Sequence, residues 1–524
     1  MSDCLQMNDS PMYQKLASLQ DIKNLSDLTK NNVRDILRAS LRNSDLEIVE
    51  LGELKDMSGT NDAFNSSICS LQVKVRLGSS SSTKKPEAPS TESSSDATQA
   101  TSETAAASGD NESSPEPAAK PTSTEDAKEE NTAVAEEFRT FDLVVKVPPK
   151  ASFMRLMHKL TKPFLNEVTW YLDMVKQIEF VEKDMHESSF KLANIVPVCY
   201  HAYSNYYAGE ISDKCKCAPW FCALPFRSSE EGILLLENVT KRGYKMFNKM
   251  SILPLDHFLL AMSDLAHFHG RWLTYRWLGE SGKLGEGSWS PDYLKQCLNT
   301  QKRPPRAVYQ KLLKGTQKTV LKILELEGKT EYSDRIRKFF NVTANVQLDQ
   351  FMGEVTTPID TCCHGDFWSN NIMFKYNEED KVESTMLIDF QLINYGHPAY
   401  DILYLLYLSS DAGFRDSNME SCLEHYWKTF SYYLEKYSPD EFKYGWTEFK
   451  ADIHTYKSIV FVLATTLLPN VLSDIQVEAG GLLALRDLQR KQAAELADSS
   501  KSSTKEIKRR VIQLVEEMMR DNII

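Results

Sequence analysis

The chain has 524 residues, of which 42 % are hydrophobic and 10 % aromatic, and a formal net charge of −12. That is ample apolar material for sizeable cores, and the length alone sets a prior of about three or four domain-sized units. A net acidic chain lacks the basic field of a nucleic-acid binder, and without a run of 18 or more apolar residues no membrane span is expected.

The best apolar stretch, Ser458 to Leu472, is short and is broken by Thr465, Thr466, Pro469 and Asn470. Ten cysteines follow no framework pattern, and Met1 to Gln6 does not open an apolar leader. Reduced thiols in the cytoplasm are the simplest reading.

The charge is uneven. Gly78 to Glu137 holds thirteen acidic and four basic residues, and so carries most of the net charge. This Ser/Thr/Ala/Glu/Pro segment has no aromatic residue and one large aliphatic, Val134. It cannot bury enough apolar surface to offset its ordering entropy, so disorder is expected. Ser67 to Leu77 before it alternates apolar and polar residues, and Phe141 to Val147 after it is also strand-like. The insert reads as an overgrown loop between neighbouring strands, a cheap arrangement because closure entropy grows only logarithmically with length.

A helical pattern runs from Ser152 to Glu182, and Ile195 to Tyr203 and Gly232 to Val239 read as two further strands. From about Pro254 helical patterns dominate: Leu255 to Leu278, Pro305 to Leu326, Ala399 to Leu408, Met419 to Tyr437, Lys457 to Leu468 and Thr504 to Met519. Strands first and helices after suggest an α+β chain of two lobes. The division expected is an N-terminal segment 1–30, a small β-rich lobe 31–238 with the insert at 78–137, and a large, mainly helical lobe 239–524.

The stretch richest in chemistry runs from Thr361 to Asp401. Ile372, Phe374 and Tyr376 alternate as in a strand, Asn377 to Asp380 reads as a turn, and Met386-Leu387-Ile388 as a short buried strand. A hairpin centred near residue 380 sets Asn371 opposite Asp389, within two residues, with Asp366 in the loop before its open end. Magnesium takes oxygen ligands, a role that suits Asp389 and the Asn371 amide oxygen. Asp366 is then free to accept or orient the proton of an attacking hydroxyl.

His364-Gly365-Asp366 followed by Asn371 matches the His-x-Asp-x4-Asn signature of the aminoglycoside phosphotransferase and choline kinase superfamily. The fuller string from Cys363 to Phe374, with Ile388-Asp389-Phe390-Gln391 and Tyr395 to Tyr404, resembles the ecdysteroid kinase-like family of insects. The resemblance implies a two-lobed protein-kinase-like fold that uses ATP and Mg²⁺ to phosphorylate a hydroxyl group of an ecdysteroid or of a plant or xenobiotic alcohol in detoxification. It implies that Lys146 pairs with the ATP phosphates, that Glu167 is its ion-pair partner, and that the backbone of Leu236, Glu237, Asn238 and Val239 meets the adenine edge. The phosphate-covering loop falls at Ser58 to Phe64, including Gly59 and Asn61, where a single glycine departs from the glycine-rich loop of protein kinases.

Other residues have blander roles. His364 is expected to shape the loop by packing and hydrogen bonding, and Asp401 to brace it. His267 and His269 point to different faces of a helix, and Cys215, Cys217 and Cys222 lack the paired spacing of common zinc sites. Twelve positions separate Asp389 from Asp401, too few for the activation segment on which a protein kinase docks a peptide. A choline or ethanolamine kinase, or a catalytically silent nucleotide-binding protein, are the alternatives. Gln391, where choline kinases tend to carry an acid, favours a neutral alcohol. Trp368, Tyr395 and Tyr400 are candidates to line the acceptor pocket. The oligomeric state is left open.

Overall fold

The computed structural model describes residues 22–57, 67–77, 137–149, 162–184, 190–204, 231–299, 306–344, 357–473, 491 and 494–524. The fold is α+β, with a β-rich N-terminal region and a helical C-terminal region.

Six strands build the N-terminal sheet: β1 Glu47–Leu51, β2 Lys55–Asp56, β3 Ser67–Leu77, β4 Glu137–Val147, β5 Cys199–Ser204 and β6 Gly232–Glu237. All pairs are antiparallel, in the order β1-β3-β4-β6-β5 with β2 on β3. β3 and β4 pair along their whole length, and Leu77 lies opposite Glu137. The acidic insert itself lies outside the described residues, but its two ends are cross-strand neighbours, as a loop between paired strands requires.

The sheet departs from expectation at two strand ends. β5 starts at Cys199 rather than Ile195, because Pro197 has no N–H to give to a ladder. β6 stops at Glu237, where the Asn238 side chain accepts the Thr240 amide and starts the 3-10 turn Val239–Arg242.

Period-two alternation sorts β4 between two cores. Leu143, Val145 and Val147 pack with Val33, Ile36 and Leu37 of helix α1, Lys30–Leu41. Those three helix residues are spaced to share one face, and Thr29 caps the helix by accepting the Asn32 amide at 3.2 Å. Lys146, between Val145 and Val147, points to the other face. A helix crosses there: α2 Pro163–Thr169, a π turn Trp170–Met174, and α3 Val175–Asp184. Pro163 at its first position needs no donor. Residues 152–161 of the expected helix lie outside the described residues.

The C-terminal region contains α4 Leu255–Glu280, α5 Pro291–Asn299, α6 Arg306–Leu326, α7 Ser333–Lys338, α8 Ala399–Ser409, α9 Ala412–Tyr437, α10 Trp446–Val471 and α11 Ser502–Arg520. α9 starts at Ala412 rather than Met419, capped by Asp411 accepting the Phe414 amide at 2.9 Å. α10 starts at Trp446 rather than Lys457, with Glu448 accepting the Gly445 amide at 3.0 Å. Among the described residues no helix is long and apolar enough to cross a membrane.

Short strands complete the region. β9 Ile372–Tyr376 lies between β10 Val382–Leu387 and β7 Lys245–Met246, and β8 Thr361–Cys363 pairs with β11 Asn394–Gly396. The Thr385 hydroxyl on β10 donates to Asp264 of α4, which ties the hairpin to that largely buried helix.

Candidate active site

The hairpin sets the site. Leu387 pairs with Ile372 and Met386 with Met373, and the Ile388 amide donates to the Asn371 carbonyl at 3.0 Å. Asn371 therefore lies opposite Ile388, one position from the register that the sequence suggests. The turn is centred on residue 379, since Val382 pairs with Tyr376, and the bulge between Val382 and Ser384 recovers one of the two positions lost there. At the tip, Asp380 adopts a positive φ of 58°, and the Asn377 side chain accepts the amides of Glu379 and Lys381.

Beyond β10 the backbone turns sharply. Asp389 sits in the left-handed region, φ 66° and ψ 65°, a conformation that costs a non-glycine residue free energy and marks a constrained site. Its carboxylate Oδ1 is 2.9 Å from Lys146 Nζ. Lys146 Nζ is also 2.6 Å from Glu167 Oε2 on α2. Burial works against the Lys146 ammonium, but Asp389 and Glu167 overturn it and hold its pKa above the ordinary lysine value. β4, α2 and the hairpin thus meet at one buried cation.

The loop before the hairpin holds a second group. Asp366 Oδ2 accepts from Asn371 Nδ2 at 2.8 Å, and the same Nδ2 donates to the Asp366 carbonyl at 2.8 Å. Both are acceptors, so the amide nitrogen faces Asp366 and the Asn371 oxygen is turned away from it. Asp366 Oδ1 accepts from the Tyr404 hydroxyl at 2.7 Å. Burial pushes Asp366 up to about 7, against the lowering effect of the Tyr404 bond.

Each residue of the His-Gly-Asp run has a physical reason. His364 Nε2 faces the Ile388 carbonyl at 3.1 Å and must carry the proton. Burial lowers its pKa and keeps the ring neutral, so it joins the loop to the hairpin as a donor. Gly365 has φ +82°, and a Cβ there would fall on the Leu392 carbonyl oxygen. Asp401 accepts the amides of His364 at 2.6 Å and Gly365 at 2.9 Å. His269 Nε2 lies 3.1 Å from Asp401. With Cys363 these two groups lie within 4.8 Å of one another, but the bonds into the loop make the cluster a brace.

The helix of Glu167 also grips the segment after Asp389. Asn166 Nδ2 donates to the Gln391 carbonyl at 3.0 Å. Trp170 stacks on Phe390 with ring centroids 4.3 Å apart, and Tyr171 meets the same ring edge-on at 6.0 Å. The π turn brings two consecutive aromatics to one ring, as the wider helical turn allows. Gln391 is 1 % exposed and lies beside Glu167. It packs in the interior between α2 and the segment after Asp389.

In the Leu236 to Val239 stretch, the Glu237 amide donates to the Val198 carbonyl at 2.8 Å and the Asn238 amide to the Asp142 carbonyl at 2.9 Å. A nucleotide there has to use other groups of the stretch. Gly59, Asn61, Cys215, Cys217 and Cys222 lie outside the described residues. Trp368 is buried, Tyr395 is bonded to Arg276 at 3.0 Å, and Tyr400 stacks on Tyr404 at 5.7 Å.

The donor set fits magnesium. The Asn371 amide oxygen and the Asp389 carboxylate are hard oxygen ligands at the open end of one hairpin. Asp389 keeps 31 % of its side chain exposed.

Comparison with curated proteins found no match. Among solved structures, a spectinomycin phosphotransferase in complex with ADP and spectinomycin is similar at 11 % identity and TM-score 0.35, over 74 % of this chain and 90 % of that one. A Plasmodium vivax ethanolamine kinase is similar at 13 % identity and TM-score 0.34, over 97 % and 89 %. A choline kinase from Streptococcus pneumoniae is similar at 14 % identity and TM-score 0.26, over 68 % and 86 %. The ecdysteroid kinase-like family matches residues 127–438, more than half of the chain, and the chain belongs to that family.

Proposed function

We propose that the protein is a cytoplasmic small-molecule kinase that transfers the γ-phosphoryl group of ATP to a hydroxyl group, with 31–238 as the nucleotide-side lobe and 239–524 as the acceptor-side lobe. The observation that carries this reading is the meeting of two sets of side chains at one hairpin end. Lys146 contacts Asp389 at 2.9 Å, and Asn371 contacts Asp366 at 2.8 Å. Family membership supports the same reaction class.

Asn371 and Asp389 would hold Mg²⁺, which when bound neutralises charge on the phosphate oxygens. Lys146, fixed by Glu167, offers its ammonium to the ATP phosphates. Asp366 accepts a hydrogen bond from the acceptor hydroxyl and takes its proton as the oxygen attacks phosphorus. The bond from the γ-phosphorus to the bridging oxygen breaks, and ADP leaves with those electrons. The rate gain comes from positioning and charge stabilisation.

The family name makes a steroid alcohol the first acceptor to test, with plant and xenobiotic alcohols next. Because Gln391 is buried, amino alcohols such as choline and ethanolamine belong in the same screen. The test incubates the protein with Mg·ATP and hydroxylated steroids, plant alcohols and amino alcohols, and reads product mass. A product 80 Da heavier than one acceptor, formed with stoichiometric ADP, is expected. Nucleotide binding without turnover on any acceptor, or on water, would mean a silent binding protein.

A further inference from the structure

We propose that Tyr404 is the positioning residue of the phosphoryl-transfer step, holding the Asp366 carboxylate in the one orientation from which it meets the acceptor hydroxyl. The inference rests on the assignment of Asp366 as the proton acceptor and deepens it.

Three contacts from α8 reach the loop. Asp401 accepts the amides of His364 and Gly365, Tyr404 donates to the Asp366 side chain, and Ser409 Oγ accepts the Ser369 amide at 2.9 Å. The first and third hold backbone. The bond from Tyr404, at 2.7 Å, falls on the group that would react.

Asp366 has two carboxylate oxygens, and each is held by one donor from a different element, Oδ1 by Tyr404 and Oδ2 by Asn371. Two anchors on opposite oxygens stop rotation about the terminal torsion, which is otherwise broad for an aspartate. The second lone pair of each oxygen remains to accept from a substrate. With Asn371 alone, the carboxylate pivots on a single bond. Tyr404 is itself immobilised. It is 3 % exposed, and Tyr400 stacks on its ring at 5.7 Å with planes 26° apart. Burial and the adjacent Asp366 charge raise its pKa well above the ordinary phenol value, so it remains a donor.

The test uses the full-length protein, Mg·ATP and water as the acceptor, with phosphate release as the readout, so no identified alcohol is needed. Tyr404→Phe should lower kcat about ten- to a hundred-fold, the worth of one hydrogen bond to a charged group, with KM for ATP essentially unchanged. In an Asp366→Asn background the same change should have no further effect. An equal loss in both backgrounds, or a loss confined to KM, would overturn the proposal. A crystal structure of Tyr404→Phe should show the Asp366 carboxylate rotated or in several orientations; one unchanged orientation would also overturn it.

Should the Phe variant fail to fold, replacing Tyr404 with 4-aminophenylalanine keeps the ring and a weaker donor. That variant should have a measurably lower kcat at unchanged KM, and a wild-type kcat sinks the idea. Failure of the underlying assignment looks different: Asp366→Asn would then turn over at the wild-type rate, or the wild-type protein would release no phosphate.

Discussion

The two halves of the site are held together by different forces. The first half joins three charged groups, Lys146 of β4, Glu167 of α2 and Asp389 at the end of the hairpin, with Lys146 7 % and Glu167 1 % exposed. Around Asp366 is a single carboxylate held by neutral donors from its own loop and the helix behind it. Charges without water are stabilised by one another, so removing one leaves an uncompensated partner. A carboxylate held by two neutral donors keeps one of them when the other is removed, and no unpaired charge is left on the donor side. On the proposed mechanism the Lys146 half is therefore a point of stability as well as chemistry, and the Asp366 half is mainly a point of chemistry.

The sharpest way to break that comparison is Lys146→Met. It strands Glu167 in the interior and should lower the free energy of unfolding by about 3–5 kcal/mol, read from urea denaturation. Adding Glu167→Leu should restore much of the stability and none of the activity. An unchanged midpoint for the single variant would show that the buried cation is not structural.

Next in size is Gly365→Ala. The left-handed backbone and the Leu392 carbonyl leave no place for a methyl group. A loss of about 3 kcal/mol is expected, with kcat falling alongside. A thermal midpoint within a degree or two of wild type would mean that the loop can relax.

The smallest effect concerns pH. Asp264, which accepts the Thr385 hydroxyl behind the hairpin, is pushed up to about 7 by burial. A carboxyl group whose folded pKa lies above its unfolded value stabilises the fold at low pH, and loses that contribution as pH rises towards the folded value. Asp264→Asn removes the dependence. It should match wild type near pH 4 and be more stable at pH 8. Equal stabilities at both pH values would mean that burial does not shift this carboxyl group.

Much of the fold was legible because local pattern and burial agree. The alternation of Ser67 to Leu77 defines β3 to the residue, and the turn residues at Asn377 to Asp380 locate the hairpin within one position of its register. The starts of α9 and α10 were not: Asp416, Ser417 and Asn418 hide the apolar period in one, and in the other Phe449 and Ile453 alone mark the buried face before Lys457. In the site, the side chains that meet at the hairpin share short stretches of chain with their motifs. Tyr404 left no signal beyond its place one turn after Asp401, since its bond to Asp366 depends on where α8 crosses the loop. The burial of Gln391 was equally hidden, because it follows from the way α2 lies over the segment after Asp389.

The most direct test of the central claim compares Asp366→Asn with wild type in two measurements on one preparation, the affinity for Mg·ATP by calorimetry and turnover. The account predicts affinity within a factor of about two and kcat lower by about 10²–10⁴. Turnover near the wild-type rate would contradict it, because the carboxylate at the mouth of the hairpin would then have no part in moving the phosphoryl group.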